Sequence, residues 1–88
     1  MGETENKTEN ALECCRSRMR LLRKEKGLSQ SDVASVLGLS QQLYSLVERG
    51  KYRMYLLYII ELARYYGVSV EWLSGVGDEK TRFLSEVL

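Results

Sequence analysis

The chain has 88 residues, 44% of them hydrophobic, which is enough for one small domain with a single core. It contains no run of about 18 apolar residues and its N-terminus lacks the layout of a signal peptide, so we expect a cytoplasmic protein without a membrane span. Histidine is absent and the only two cysteines are adjacent, which argues against a metal site, a disulfide and a cofactor.

The net charge of +1 hides an uneven distribution along the chain. Residues 1–13 carry four acids and one base, and residues 54–88 carry five acids and three bases. Residues 14–53 carry nine bases and three acids, a net charge of +6. A basic segment of this kind is typical of a surface that binds a phosphate backbone.

The first predicted helix follows a polar tail. Residues 1–10 have no apolar periodicity, and we expect them to be disordered. The helix is predicted from about Ala11 to Lys26, because apolar residues recur there at helical spacing. Its buried stripe consists of Leu12, Cys15, Met19 and Leu22.

Residues 27–51, GLSQSDVASVLGLSQQLYSLVERGK, predict two short helices joined by a tight turn. Ser29 and Ser40 stand at N-cap positions, where a hydroxyl accepts a free backbone N–H of the first helical turn. Gly38 and Gly50 follow the two apolar runs, and glycine suits the left-handed residue that closes a helix. Two short helices in this order have the layout of a helix-turn-helix, whose second helix lies in the DNA major groove.

Helical spacing assigns an inward and an outward face to this motif. The inward positions are Val33, Ala34, Leu37, Leu39, Tyr44 and Val47. Gln41, Gln42 and Ser45 face outward and are candidates for base contacts, since a glutamine amide can bond to both N6 and N7 of adenine. The alternative is that these glutamines are only solvated helix formers. Gln30 opens the preceding helix and is a further base-contact candidate, although it can instead bind phosphate or support Gln41.

A fourth helix is predicted from about Tyr55 to Tyr66, and Ser69 caps a short fifth helix that contains Trp72 and Leu73. The predicted core face of the fourth helix consists of Leu56, Ile59, Leu62 and Ala63, with Tyr66 beneath it. Apolar residues then remain without a partner in a monomer, and such a surplus favours an interface. The alternative is that the tyrosines half-cover their neighbours.

The candidate dimer interface has two parts. The surplus residues of the fourth helix and its approach are Met54, Leu57, Tyr58 and Tyr65. Residues 76–88 form a C-terminal tail and a candidate dimerisation helix, whose apolar side carries Phe83, Leu84, Val87 and Leu88.

Several short motifs follow one another in a definite order between about Leu12 and Gly75. They are Arg18 to Arg20 with Leu22 and Arg23, Lys26 to Gln30, Val33 with Ala34, Leu37 to Ser40, Val47 to Lys51, Ile59, Leu62 with Ala63, Gly67 to Ser69, and Trp72 with Leu73. Each motif is weak by itself. Their order and spacing together resemble the lambda-repressor-like, XRE-type helix-turn-helix proteins, which include phage repressors and Cro proteins.

The resemblance implies an all-α, compact bundle of four to five short helices, with a helix-turn-helix DNA-binding domain over residues 11–75. With the charge pattern, it implies DNA backbone contacts from Arg20, Ser40, Lys51, Tyr52 and Arg53. In this family an arginine of the first helix pairs with the glutamate that ends the recognition helix. Arg23 and Glu48 match those positions, so Glu48 is expected to be structural. Met54 and Tyr55 depart from the pattern, because a proline and a capping Ser or Thr usually stand there.

The function expected from these features is sequence-specific binding of double-stranded DNA by a homodimeric transcriptional regulator. A repressor of phage or mobile-element origin is the form that the resemblance favours. The competing class is a protein-interaction module with the same fold, whose partner is an antirepressor or a toxin. The surplus apolar residues and the apolar Leu43 and Leu46 favour this alternative, whereas the basic segment disfavours it. An enzyme is not expected, because paired carboxylates and a phosphate-binding glycine loop are missing as well as histidine.

Overall fold

Five helices form within residues 2–80, the part of the chain that the computed structural model describes. They are α1 (Gly2–Glu25), α2 (Gln30–Leu37), α3 (Gln41–Glu48), α4 (Leu56–Tyr66) and α5 (Val70–Ser74). The predicted all-α bundle is therefore confirmed. None of these helices is long and apolar enough to cross a membrane.

The boundaries of α2 and α3 follow from the serines and the glycine named in the sequence. The Ser29 hydroxyl accepts a hydrogen bond from the Asp32 N–H at 3.0 Å, and the Asp32 carboxylate accepts one from the Ser29 N–H at 2.9 Å. This reciprocal capping box satisfies two backbone donors. Ser40 caps α3 in a simpler way, by accepting the Leu43 N–H at 3.1 Å. Gly38 closes α2 with a φ of 70°, where a side chain would be strained.

The start of α1 differs from the prediction. Residues 1–10 were expected to be disordered and the helix to begin near Ala11, but α1 begins at Gly2. The sequence of residues 2–10 contains no apolar residue apart from glycine, so it has no apolar periodicity that would reveal a helix.

The core lies where α1, α2, α3, α4 and α5 meet. Its buried hydrophobic residues are Cys15, Met19, Leu22, Val33, Ala34, Tyr44, Val47, Ile59, Leu62, Ala63, Tyr66, Val68, Trp72 and Leu73. Leu62 and Leu73 are fully buried, and such a side chain stabilises a fold by roughly 1.5–3 kcal/mol relative to leaving it in water. The predicted stripes of α1, α2 and α3 contribute to this core, with the exception of Leu12, which is only half-buried and lines a surface groove instead.

The core face of α4 requires one correction. Leu56 was assigned to it but is 63% exposed, whereas Met54 and Tyr58, expected to lack partners, are half-buried against the core. Leu56 is the first residue of α4. It lines a surface groove together with Ile60 and does not pack in the core. Met54 reaches the core from the connector before the helix begins. Helical spacing alone could not place these helix-end residues.

Candidate nucleic-acid interface

The outer side of α3 is polar and open. Gln41 and Gln42 are exposed in its first turn and Ser45 is half-buried one turn later. Together with Leu46 and Arg49 they line one shallow hollow. The three polar base-contact candidates on α3 therefore lie side by side. Arg49 was not among the sequence-predicted site residues, although its i, i+4 spacing from Ser45 places it on the same side of the helix.

The inner side of α3 is held by a buried carboxylate. Glu48 is only 1% exposed, and its two carboxylate oxygens accept four hydrogen bonds from other side chains. Arg23 of α1 donates two of them, at 3.0 Å from Nε and 3.1 Å from Nη2. The Tyr44 hydroxyl donates the third at 2.6 Å and the Gln30 side-chain amide the fourth at 3.0 Å. We call these four residues the Glu48 network.

The protonation state of this network follows from the same contacts. Burial by itself would raise the pKa of Glu48, but the hydrogen bonds from Arg23, Tyr44 and Gln30 outweigh it and lower the pKa below the ordinary value. The hydrogen bond to Glu48 raises the pKa of Arg23. Burial, together with the hydrogen bond to Glu48, raises the pKa of Tyr44. Glu48 and Arg23 are therefore both charged at neutral pH, as the expected structural ion pair requires.

Gln30 has a definite place in this arrangement. It is half-buried at the start of α2, and its Nε2 bonds to Glu48 rather than to Gln41. Support of Gln41 was one of the roles considered for Gln30, and the described hydrogen bond instead ties α2 to the end of α3. A contact between Gln30 and DNA remains a prediction.

The basic residues after α3 line a groove beside α1. Lys51, Tyr52 and Arg53 are exposed on the connector between α3 and α4, and they share this groove with Arg16 of α1. Arg16 packs closely on Gly50, since a Cβ placed there would lie 2.9 Å from the Arg16 guanidinium carbon. Arg16 was not among the predicted contact residues, because its approach to the end of α3 depends on how α1 crosses the motif.

Arg20 and Ser40 already have partners within the protein. Arg20 Nη1 donates a hydrogen bond to the Glu48 backbone carbonyl at 3.1 Å, and Nη2 lies 3.8 Å from the Glu13 carboxylate. Glu13 also pairs with Arg16 at 3.0 Å. One acid is therefore placed among the bases of this surface. The Ser40 oxygen accepts the N–H of Leu43, as described above.

The candidate dimer residues divide into two groups. Leu57 and Tyr65 are 63% and 49% exposed on α4, and so are free to meet a partner. Met54 and Tyr58 are half-buried against the core, as described above. The remaining candidates, Phe83, Leu84, Val87 and Leu88, lie outside the described residues.

The comparisons with known proteins agree with this geometry. A family model described as "Helix-turn-helix" matches residues 19–73, which is more than half of the chain. The chain belongs to the helix-turn-helix family. The matched segment runs from the middle of α1 to α5 and contains the whole α2–turn–α3 motif. The lambda-repressor-like, XRE-type assignment made from the motifs is thereby confirmed.

Two curated helix-turn-helix relatives carry similar names. An uncharacterized HTH-type transcriptional regulator of Sinorhizobium fredii is 46% identical over 48 residues, which cover 54% of this chain and 62% of the relative. An uncharacterized HTH-type transcriptional regulator of Methanocaldococcus jannaschii is 32% identical over 56 residues, covering 64% of this chain and 85% of the relative. The chain thus spans less than two thirds of the first relative. No solved structure matches this helix-turn-helix protein.

Proposed function

We propose that this protein is a transcriptional regulator that binds double-stranded DNA in a sequence-specific way, with α3 in the major groove. The observation that carries the proposal is the two-sided character of α3. Its outer side presents Gln41 and Gln42 to solvent, with Ser45 half-buried one turn later, and its inner side is fixed to α1 and α2 by the Glu48 network. Base reading requires side chains that are free to bond on a helix that is not free to move.

Charge supports the same orientation of the protein on DNA. Lys51 and Arg53 are exposed directly after α3, and Arg16 reaches the same groove from α1. These bases lie beyond the C-terminal end of the helix proposed to enter the groove, where the phosphate backbone would pass. Phosphate contacts of this kind set the position of a protein on the duplex, while base contacts provide the specificity.

The regulator is further proposed to act as a repressor in the cytoplasm, as a homodimer. The exposed side chains of Leu57 and Tyr65 on α4 support the dimer, because apolar groups that are exposed in one copy can bury each other across a two-fold axis. Two α3 helices would then enter successive major grooves about 34 Å apart. A phage or mobile-element origin rests on the family resemblance.

Selection of bound sites from random duplexes tests this proposal directly. The expected result is an enriched sequence made of two inverted half-sites about one helical turn apart. Affinity for random duplexes should also fall steeply with salt, because bound phosphates release counterions. Failure to enrich any sequence, together with an affinity that is indifferent to salt, would contradict DNA binding as the function.

A protein-interaction module is the second candidate, and the apolar side of α4 is the observation that favours it. Leu56 and Leu57 are each 63% exposed, and adjacent exposed apolar side chains are typical of an interaction site. In this case the main partner would be another protein, such as a toxin or an antirepressor, and DNA binding would be secondary. A tight complex with such a protein, formed by a chain that shows no salt-dependent DNA binding, would favour this second function.

A further inference from the structure

One apolar side chain lies among the polar residues on the outer side of α3. Leu46 lines the same hollow as Arg49 and the three polar base-contact candidates of this helix, and the hollow has a volume of about 410 Å³. Leu46 follows Gln42 by four residues, so it lies about one turn further along the same side of the helix. The surface proposed to read DNA therefore contains a leucine whose role the polar contacts do not explain.

The hydrophobic core does not account for Leu46. Its side chain is half-buried, but among the described residues it belongs neither to the core nor to the partly buried hydrophobic residues that pack against the core. The inner side of α3 is already filled, since the next two residues, Val47 and Glu48, are fully buried. Leu46 is therefore an apolar group on the outer side of a helix whose inner side is packed without it.

The backbone at Leu46 is held in place by the end of α3. The Leu46 carbonyl accepts a hydrogen bond from the Lys51 N–H at 2.8 Å, and the Ser45 carbonyl accepts the Arg49 N–H at 3.0 Å. Gly50 has a φ of 79°, and this left-handed residue lets the chain turn back to form the first of these bonds. A side chain on such a fixed helix end meets a groove at a defined place, as base reading requires.

The chemistry of a leucine side chain matches one feature of the major groove. Guanine, cytosine and adenine present hydrogen-bond donors and acceptors there, whereas thymine also presents its C5-methyl group. Leucine has neither a donor nor an acceptor, so against a polar base edge it would leave groups desolvated and unpaired. Against the thymine methyl group it instead removes apolar surface on both sides from water.

The charges around Leu46 favour DNA over a protein as the group that it contacts. Arg49 is exposed in the same hollow, and its Nε donates a hydrogen bond to the Ser45 carbonyl at 3.3 Å. Lys51 and Arg53 are exposed directly after the helix. A protein interface would favour a contiguous apolar patch, whereas a single leucine among amides and bases suits a base edge that is flanked by phosphates.

Helix geometry limits where the contacted base pair can lie. Four residues of an α-helix rise about 6 Å, and successive base pairs of DNA are about 3.4 Å apart. Leu46 would therefore meet a base pair within about two steps of the one that Gln42 meets.

We propose that Leu46 reads a thymine by contact with its C5-methyl group, within about two base pairs of the base that Gln42 contacts. The inference rests on the proposed function, because it requires α3 to lie in the major groove. It adds one apolar reader to the polar ones. It also assigns to DNA a residue that the sequence alone associated with a protein partner.

Leu43 and Leu46 provide a matched pair of variants for the test. Both are half-buried leucines of α3 that lie outside the described core, but only Leu46 lines the hollow. Leu46→Ala and Leu43→Ala therefore make the same chemical change on and off the proposed reading surface. Leu46→Met keeps an apolar side chain of similar volume and should keep the contact.

Replacement of thymine by uracil is the readout, because the two bases differ only by the C5-methyl group. Each thymine in one half-site of a selected duplex is replaced in turn, and the affinity of the full chain is measured by titration. One replacement should weaken binding of the wild type about fourfold, the effect expected for one buried methyl group. Leu43→Ala and Leu46→Met should show the same loss at the same position. Leu46→Ala should bind the thymine and uracil duplexes with nearly equal affinity.

Three results would overturn this inference alone, because in each of them a site has been selected and the proposed function survives. In the first, the wild type tolerates uracil at every thymine of the half-site, or the half-site holds no thymine. In the second, the sensitivity to uracil persists unchanged in Leu46→Ala. In the third, Leu43→Ala loses it as well. Failure to select any site would instead contradict the proposed function and this inference together.

Discussion

The exposed faces of α3 and α4 are both built on short amphipathic helices, but the interior holds them in different ways. The α3 face is polar, and directly behind it Glu48 bonds to side chains of α1, α2 and α3. The α4 face is apolar, and its N-cap residue Tyr55 makes no side-chain capping bond. An exposed helix face is suited to reading DNA when its reverse side is anchored by a satisfied polar network. An apolar exposed face is instead suited to being covered.

The largest expected effect is the loss of stability when the Glu48 network is broken. Arg23→Ala should reduce the free energy of unfolding by about 3–5 kcal/mol, because it leaves the buried Glu48 carboxylate without its charged partner. Chemical denaturation measures the loss. Arg64→Ala is the matched control, since Arg64 pairs with Glu61 at 3.8 Å on the surface, and its loss should cost about 0–1 kcal/mol. Equal losses in the two variants would contradict the anchoring role of the Glu48 network.

A double variant sharpens this test. Arg23→Met combined with Glu48→Leu removes both charges together and should recover much of the stability lost in Arg23→Ala. Recovery should be incomplete, because Tyr44 and Gln30 lose the acceptor to which both now donate. A double variant that is no more stable than Arg23→Ala would show that the loss has another cause.

The second effect concerns the apolar face. Leu57→Glu should weaken the proposed dimer by about 1.5–3 kcal/mol for each leucine that loses its burial, with a further cost for the buried charge. Sedimentation equilibrium measures the change, and Leu21→Glu is a control at an exposed leucine of α1. If the wild type remains monomeric at high micromolar concentration, both alone and on a selected duplex, the proposed dimer is refuted.

The third effect concerns the polar face. Gln41→Ala and Gln42→Ala should each relax the preference at one base position by about 1–3 kcal/mol, while binding to random duplex stays nearly unchanged. Both side chains are exposed, so the melting temperature should not move. Site selection with each variant provides the measurement. If both variants keep the wild-type preference at every position, these glutamines do not read the bases.

The fourth effect concerns the bases after α3. Lys51→Ala and Arg53→Ala should each reduce the slope of log affinity against log salt by about one unit, because each removes one phosphate contact. Titrations at several salt concentrations measure the slope. Arg64→Ala, on α4, should leave the slope unchanged. Equal slopes for all three variants would mean that Lys51 and Arg53 are not at the backbone.

The smallest expected effect is a gain. Glu13→Gln should raise DNA affinity about two- to fivefold at low salt, since it removes the acid that pairs with Arg16 and Arg20. Glu61→Gln removes an acid that pairs in a similar way with Arg64 and should have no effect on affinity. A loss of affinity in Glu13→Gln would indicate that Glu13 positions the arginines instead of competing for them.

The sequence predicted the α3 face better than the α4 face, for physical reasons. N-cap serines and left-handed glycines act within a few residues, so Ser29, Gly38 and Ser40 reveal α2 and α3 directly. The pairing of Arg23 with Glu48 was implied by the family pattern, and the structure shows it. Gln30 and Tyr44 join the same carboxylate because the packing of α1, α2 and α3 brings them together. Their sequence spacing alone could not show this.

The predictions from sequence failed where local sequence patterns carry little information about the structure. Leu56 has the spacing of a core residue, but it is exposed because α4 begins at this position and because Met54 and Tyr58 pack against the core instead. The early start of α1 could not be predicted, because the sequence there has no apolar periodicity. The position of Arg16 beside Gly50 depends on the crossing of α1 over the end of α3, which only the folded chain determines.

We propose that the anchored polar face of α3 contacts DNA and that the apolar face of α4 does not. Titration of the isotope-labelled protein with a selected half-site duplex tests this most directly, by following side-chain amide and backbone signals in one spectrum. The side-chain amide signals of Gln41 and Gln42 should shift strongly, while the backbone signals of Leu57 and Tyr65 should stay in place. Large shifts at Leu57 and Tyr65 with unchanged glutamine amides would contradict it.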